Sequence, residues 1–488
     1  MQKTGKFVGF VFNVNIQNSG KTDFMIKVFV RTYGCLANVA DSKNLITYLR
    51  SFGCEEVLCE QDADLILINT CSIREKAEKK VFSYLGNLIH LKKEKPYLCI
   101  GVVGCMASYK KKDIFECFDH VNFVYGAKDD LKILKNYLAD IVEKLFSSKQ
   151  RYLSSPSDFV NTIKRNKDLK KVSTLSKVFP RGIRVGLIKS IKPKEFGVKR
   201  SFINIMSGCN NFCSYCIVPF VRGPEKSYDI QQVLQQVKHD VDSGYKEINF
   251  IGQNVNSYQD PKTGLKFADL LREAAQIKGE FWVRFISSHP KDTSLELIKV
   301  MAEFKDKICS HVHLPLQSGS NNILKAMNRV YSREHFLDIV EMIRKYLPQS
   351  TISTDIIVGF PGEQEQDYLD TRDMMETVGF DLIYSFVYSP RKYTKAYSLT
   401  DDCPHKIKLK RLMDLHKRGV DIAQKNNLRL VGKVVKCLVE ERQKNGKLIA
   451  RESGNVRVEV EGGDEFIGKF VDVKIESAGA TKVMGRIV

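Results

Sequence analysis

GCNNFCSYC, residues 208–216, sets three thiols at Cys209, Cys213 and Cys216 and then stops. The chain runs on as IVPFVRGPEKSYDI, with neither Cys nor His. A structural zinc site takes four protein ligands. The set is therefore an incomplete zinc site or a metal centre with one open position. A [4Fe–4S] cluster has four irons, each ordinarily held by one thiolate. Three thiolates leave one iron free for a substrate or cofactor.

The flanking sequence predicts where this trio sits. The apolar run SFINIM (201–206) immediately precedes it. Five more runs of strand character follow: EINFIG (247–252), FWVRFIS (281–287), HVHLPL (311–316), TISTDIIVG (351–359) and DLIYSFVYS (381–389). Helical periodicity lies between them, as in DIQQVLQQVKHDVDSG from Asp229 and SREHFLDIVEMIRKYL from Ser332. DTSLELIKVMAEF opens on Asp292, an N-cap type of residue. Six strand–helix units over residues 201–425 predict a partial (βα)6 version of the eightfold barrel, whose sites lie at the carboxyl ends of the strands. The trio follows the first strand, where such a site belongs.

Upstream, one plan is used three times. MIKVFVRTYGC ends in Cys35, DADLILINTC in Cys71 and PYLCIGVVGC in Cys105. Helical patterns follow the first two, from Asp41 and from Arg74. This alternation predicts an α/β domain with a parallel sheet over residues 25–148. Ligands of such sheets sit outside the carboxyl ends of the strands. Each cysteine lies just past one such end, so the three can converge although they are far apart in sequence.

The tail, residues 426–488, has short alternating strands broken by Asn-Gly, Ser-Gly and Gly-Gly turns. It predicts a small antiparallel β-barrel, rich in Lys and Arg, of a kind that binds single-stranded nucleic acid. Residues 149–200 are basic and poorly periodic and read as a solvated linker, or as a segment on a phosphate backbone. Residues 1–24 read as an extension before a natural start at Met25. They lack the pattern of a signal peptide, and no apolar run is long enough to span a bilayer. Thirteen cysteines without an export signal imply a reducing, cytoplasmic setting and metal or redox chemistry rather than disulfides. The formal net charge of +20 points to a polyanionic partner, most simply nucleic acid.

The spacing C-x3-C-x2-C with Tyr215 before the last cysteine resembles the radical S-adenosylmethionine (SAM) enzymes. The likeness extends over nearly all of the chain from Met25. VRTYGCLANVADS, NTCSIREKAEKKVFSYLG and VVGCMAS resemble the N-terminal domain of the methylthiotransferases within that superfamily. IMSGCNNFCSYCIVPFVRG, GQNVNSY, SSHP, HLPLQSGSNNILKAMNR and TDIIVGFPGE resemble their radical-SAM core, and the tail resembles their RNA-binding TRAM domain, an OB-like barrel. SIREKAEKKVF and GQNVNSY are most similar to the branch that acts on N6-isopentenyladenosine in tRNA, the MiaB type.

The resemblance implies two [4Fe–4S] clusters. Cys209, Cys213 and Cys216 would hold the one that binds SAM, and Cys35, Cys71 and Cys105 an auxiliary one suited to sulfur delivery. One SAM would methylate sulfur; the other would yield the radical that takes hydrogen from C2 of the adenine. The partner would be a tRNA anticodon stem-loop carrying isopentenyladenosine, with an electron donor, a sulfur source and a monomeric enzyme. Gly252, Gln253 and Asn254 fall where the superfamily contacts the SAM amino group, and Gly359, Pro361 and Gly362 near the adenine. His289, His313 and Gln317 end strands and face either the pocket or the barrel interior. The other seven cysteines, Cys54, Cys59, Cys99, Cys117, Cys309, Cys403 and Cys437, read as small hydrophobes.

One loop departs from the family. After YSPR the family has Pro, Gly and Pro; this chain has Lys392, Tyr393 and Lys395. The turn formers are gone, and a cation and an aromatic suited to RNA stand in their place. Two other readings are open: a methylthiotransferase of another branch, acting on threonylcarbamoyladenosine or a ribosomal-protein aspartate, and a non-enzymatic zinc and RNA-binding protein.

Overall fold

The computed structural model describes residues 25–72, 75–129, 131–155 and 198–488. The expected extension at 1–24 and most of the expected linker, 156–197, lie outside the described residues.

Strand β3 (Leu65–Thr70) is buried at every position. Such a strand needs cover on both faces, as the middle of a parallel sheet provides. It is central in a five-stranded parallel sheet, flanked on one side by β1 (Lys27–Tyr33) and then β2 (Glu55–Glu56), on the other by β4 (Cys99–Gly104) and then β5 (Phe123–Gly126). Ile66 and Ile68 pack with residues of helices α2 (Glu75–Glu94) and α3 (Cys105–Cys117). Leu65 and Leu67 pack with α1 (Leu36–Arg50) and α4 (Leu131–Ser154). Helix α1 starts five residues before the expected Asp41. Its first turns bury polar side chains, which hides the helical face from an apolar pattern: Asn38 donates to Asn69 Oδ1 at 2.9 Å, and Asn69 donates to Ser42 Oγ at 2.9 Å. Helix α4 continues past residue 148 because Lys149 is buried against Asp64 at 2.8 Å.

The core has six parallel strands: β6 (Arg200–Asn204), β7 (Glu247–Ile251), β8 (Trp282–Phe285), β9 (His311–His313), β10 (Thr351–Val358) and β11 (Leu382–Val387). They form two three-stranded sheets, joined where Val283 of β8 bridges Ile308. HVHLPL supplies only three strand residues before Pro315 turns the chain; it rejoins β10 where Gln317, at φ 70°, bridges Ile356. Ser294, rather than Asp292, caps the helix Leu295–Glu303. Asp292 is thereby free to face the site described below.

The tail closes into a barrel of β12 (Val434–Arg442), β13 (Leu448–Glu452), β14 (Arg457–Val460), β15 (Phe470–Ala478) and β16 (Val483–Ile487). Its pairs are antiparallel except β14–β16, the parallel pair that completes the ring. The turn signals in the sequence mark hairpins but not this long-range pairing.

The barrel docks on the amino-terminal ends of the core strands, away from the cysteine trio. Arg200 pairs with Glu440 of the barrel and with Glu247 of the core, and Arg284 reaches Glu247 at 3.4 Å and the Ser453 carbonyl at 3.2 Å. The Trp282 and Phe470 rings meet edge to face with centroids 4.8 Å apart. Burial opposes the Glu247 charge, yet Arg284 and Arg200 hold its pKa below the ordinary 4.5. The depressed value means that this contribution is present above pH 4.5 and fades as the pH falls through the folded-state value. Removing one partner of a buried ion pair costs about 3–5 kcal/mol. Glu247→Ala should therefore expose the junction between core and barrel to protease at lower urea than wild type.

Among the described residues, no helix is long and apolar enough to cross a membrane.

Candidate metal centre

Three parallel strands bring the N-terminal cysteines to one edge. Cys71 follows β3 directly, Cys105 follows β4 as the first residue of α3, and Cys35 stands two residues past β1. The Cys71 thiol hydrogen-bonds to Cys35 and draws the Cys35 pKa down to about 6. Burial pushes the Cys105 thiol up, and the Cys35 charge reinforces that rise. Gly34 permits this approach: at φ +152°, a Cβ there would lie 2.5 Å from both Cys71 Cβ and Asn38 Oδ1.

The core trio sits on a loop clamped from several sides. The Gly208 amide donates to Gln253 Oε1 at 2.6 Å, the Ser214 amide to the Met327 carbonyl at 2.9 Å, and Ser214 Oγ to the Ala326 carbonyl at 2.8 Å. A Cβ on Gly208 would fall 2.0 Å from the Pro224 carbonyl oxygen. Burial raises Cys209 and pushes Cys216 up to about 12, and Cys213 adds to both shifts. Arg329, itself buried, donates to Cys213 Sγ at 3.3 Å.

One short segment joins the two trios. Helix α5 (Val218–Arg222) begins two residues after Cys216. Ile217 and Val221 pack with Cys105 in one apolar cluster, and Ser108 Oγ donates to the Val221 carbonyl at 2.8 Å. Arg222 then donates to Cys105 Sγ at 3.2 Å and pairs with Asp41 at 2.9 Å. Burial alone would lower the Arg222 pKa, but Cys105 and Asp41 beside it raise it. Arg222 and Arg329 are functional candidates that the sequence reading missed. For Arg222 a signal was present, a lone arginine ending the apolar stretch VPFVRG; KAMNR, half polar, gave none for Arg329.

The other expected residues divide. Tyr215 packs beside Phe360, Met327 and Ala396, next to the end of β10. Gln253 holds the cysteine loop by its backbone. Asn254 donates to Asp292 at 2.6 Å, while its Oδ1, like Ser288 Oγ, is buried without a partner among the described residues. Gly252 lies against Met206, which a Cβ would approach to 2.4 Å. Gly359, at φ +67°, lies under the Lys408 side chain; Pro361 is buried, and Gly362 is exposed and donates to Asp402 at 3.1 Å. His289 is buried, and desolvation with Arg329 and Lys291 nearby takes its pKa to about 2, so it stays neutral. His313 Nδ1 is bonded to Ser353 at 2.9 Å, and Gln317 is held by its main chain to β10. Both are integrated into the barrel wall.

Each donor set offers three thiols, the number that would leave one iron of a [4Fe–4S] cluster open. Among the described residues, no three His, Cys, Asp or Glu converge tightly enough for one metal ion. Zinc needs sulfurs about 2.3 Å away, whereas a cubane spreads its thiolates over separate corners. The unpartnered Asn254 oxygen and Ser288 hydroxyl, just past the ends of β7 and β8, fit a ligand that carries hydrogen-bond donors such as an amino group.

Comparison with known proteins bears on the family of the chain. Residues 203–375 match the Radical SAM superfamily, 27–126 the Uncharacterized protein family UPF0004, and 428–488 the TRAM domain. The tRNA-2-methylthio-N(6)-dimethylallyladenosine synthase of Carboxydothermus hydrogenoformans is 40% identical over 94% of this chain and 99% of its own. That of Bdellovibrio bacteriovorus is 37% identical over 94% and 95%. The chain belongs to the radical-SAM methylthiotransferases. Its fold also resembles the radical SAM methyltransferase TsrM of Kitasatospora setae, with a TM-score of 0.51 at 13% identity over 76% of this chain and 75% of that one. As a radical-SAM methylthiotransferase, the chain is a transferase that uses SAM and [4Fe–4S] clusters.

Proposed function

We propose that this methylthiotransferase modifies C2 of N6-isopentenyladenosine next to the anticodon of tRNA, giving 2-methylthio-N6-isopentenyladenosine. The observation that carries the reading is the direct packing of Ile217, one residue past Cys216, against Cys105. That contact supports one site formed by both cysteine trios, at which one bound nucleoside would meet both. The name shared by the relatives supplies the substrate class.

When bound, the clusters and SAM supply radical hydrogen abstraction and sulfur and methyl transfer, which an aromatic C–H too weakly acidic for base catalysis requires. In this reading Cys209, Cys213 and Cys216 hold the SAM cluster, and Cys35, Cys71 and Cys105 the auxiliary one. Gln253 and Ser214 keep the first loop rigid. Asn254 and Ser288 orient the cofactor's polar end, and Tyr215 with the Gly359–Pro361 segment walls off its other end. Arg222 and Arg329 donate to a sulfur in each trio, which disperses thiolate charge away from water. An external electron donor and sulfur source, a monomeric state and a cytoplasmic location complete the proposal.

The test is expression in a strain that makes isopentenyladenosine but lacks the methylthio group, followed by mass spectrometry of its tRNA nucleosides. The reading expects the methylthio group on isopentenyladenosine. Its appearance only on threonylcarbamoyladenosine, or only on a protein, would overturn it.

A further inference from the structure

The loop that departs from the family's sequence forms a tight turn. The Thr394 amide donates to the Arg391 carbonyl at 3.1 Å, closing a four-residue turn with Tyr393 at φ +76° in its third position. That position favours glycine, because a side chain there crowds the following carbonyl. Tyr393 holds this conformation at an energetic cost that a glycine would not bear. Its ring gains little burial in return, being 52% exposed.

Its surroundings supply a purpose. Phe220, on the outer side of helix α5, is 42% exposed, and its ring lies 6.5 Å from that of Tyr393 at an interplanar angle of 31°. The inner side of that helix carries Val221, which packs with Cys105. The loop is tied to the core trio by the Ala396 amide, which donates to the Ser214 carbonyl at 2.8 Å. Lys392 and Lys395 are exposed on the same loop, and neither has a carboxylate partner among the described residues. Two exposed aromatic rings tilted by 31°, with the Lys392 ammonium 5.6 Å from the Tyr393 ring centroid and Lys395 on the same loop, suit an unstacked base with its phosphates.

We infer that Phe220 and Tyr393 form a stacking platform for a base of the tRNA anticodon loop, with Lys392 and Lys395 on the flanking phosphates. This rests on the proposed function and adds to it the residues that hold the loop open beside the two cysteine trios. The strained turn aims the tyrosine, so a glycine there would keep the backbone and lose the contact.

The experiment uses the reconstituted full chain, anaerobically, with an anticodon stem-loop RNA that carries isopentenyladenosine and a 2-aminopurine in the loop. Stacking on an aromatic contributes enough that Phe220→Ala and Tyr393→Ala should each raise the Kd about fivefold or more, and weaken the quenching of 2-aminopurine. Tyr393→Phe should bind like wild type, and Tyr393→Gly like Tyr393→Ala. Iron content should be unchanged in all four, which shows that the fold and clusters persist. Wild-type affinity in the Phe220→Ala/Tyr393→Ala double variant would overturn the proposal while leaving the proposed function standing. A wild type that does not bind the stem-loop would overturn both.

Discussion

Replacing Cys209, Cys213 and Cys216 together with alanine abolishes SAM cleavage and methylthio transfer, and leaves about four of about eight irons per chain. The effect is total because the chemistry has no second route: the target C–H offers no acidity for a base to exploit. The effect is also confined. The trio lies on a loop whose shape is set by Gln253, Met327 and Ala326, none of which depends on a thiol. The N-terminal trio is built by a separate sheet with its own two apolar clusters. Iron analysis with an assay for 5′-deoxyadenosine checks both halves of this expectation.

The second large effect is expected at a residue that carries no chemistry. Gly34→Ala places a Cβ within 2.5 Å of Cys71 Cβ and of Asn38 Oδ1. Neither neighbour yields cheaply. Asn38 is fully buried and locked to Asn69, and Cys71 is fixed by the sheet, its amide donating to the Tyr33 carbonyl at 2.8 Å. The backbone itself, at φ +152°, is strained for any residue with a Cβ. Strain of this kind costs about 1–3 kcal/mol, and the clash adds to it. The variant should melt at lower temperature and lose the N-terminal share of its iron, falling to about four per chain, while SAM cleavage persists. Gly244→Ala is the control: it also has positive φ, but nothing lies within 4 Å of the added Cβ. It should lose a little stability and no iron.

Much of this was legible in the sequence, for physical reasons. Strands β3 and β4 are apolar on both faces because helices cover both, and such runs stand out against any background. The cysteines mark the strand ends because that is where a parallel sheet exposes its site. Local signals failed where partners are distant. Helix α1 buries Asn38 and Ser42 against Asn69, so its first turns looked like loop. The parallel β14–β16 pair closes the barrel between segments that no turn connects. Arg222 and Arg329 acquire meaning only when the fold brings them to sulfurs more than a hundred positions away, Cys105 and Cys213 respectively. The loss of Pro and Gly after Arg391 suggested a loop without its turn formers, whereas this chain makes a turn there because the Thr394 amide and hydroxyl both bond the Arg391 carbonyl.

The location of the C-terminal barrel bears on how RNA is held. It sits at the amino-terminal ends of the core strands, and the trio at the carboxyl ends. A strand rises about 3.3 Å per residue, so a five-residue strand such as β6 separates the two by roughly 17 Å. An RNA that touches both must reach along the side of the core, as a folded tRNA can and a single nucleoside cannot.

The central claim is that two separate clusters serve one site. It is tested most directly by anaerobic iron and sulfide analysis after reconstitution of the wild type and of a Cys35→Ala/Cys71→Ala/Cys105→Ala variant. The account predicts about eight irons falling to about four, with SAM cleavage retained and methylthio transfer lost. About four irons in both proteins would contradict it, leaving a radical-SAM enzyme whose N-terminal cysteines hold no cluster.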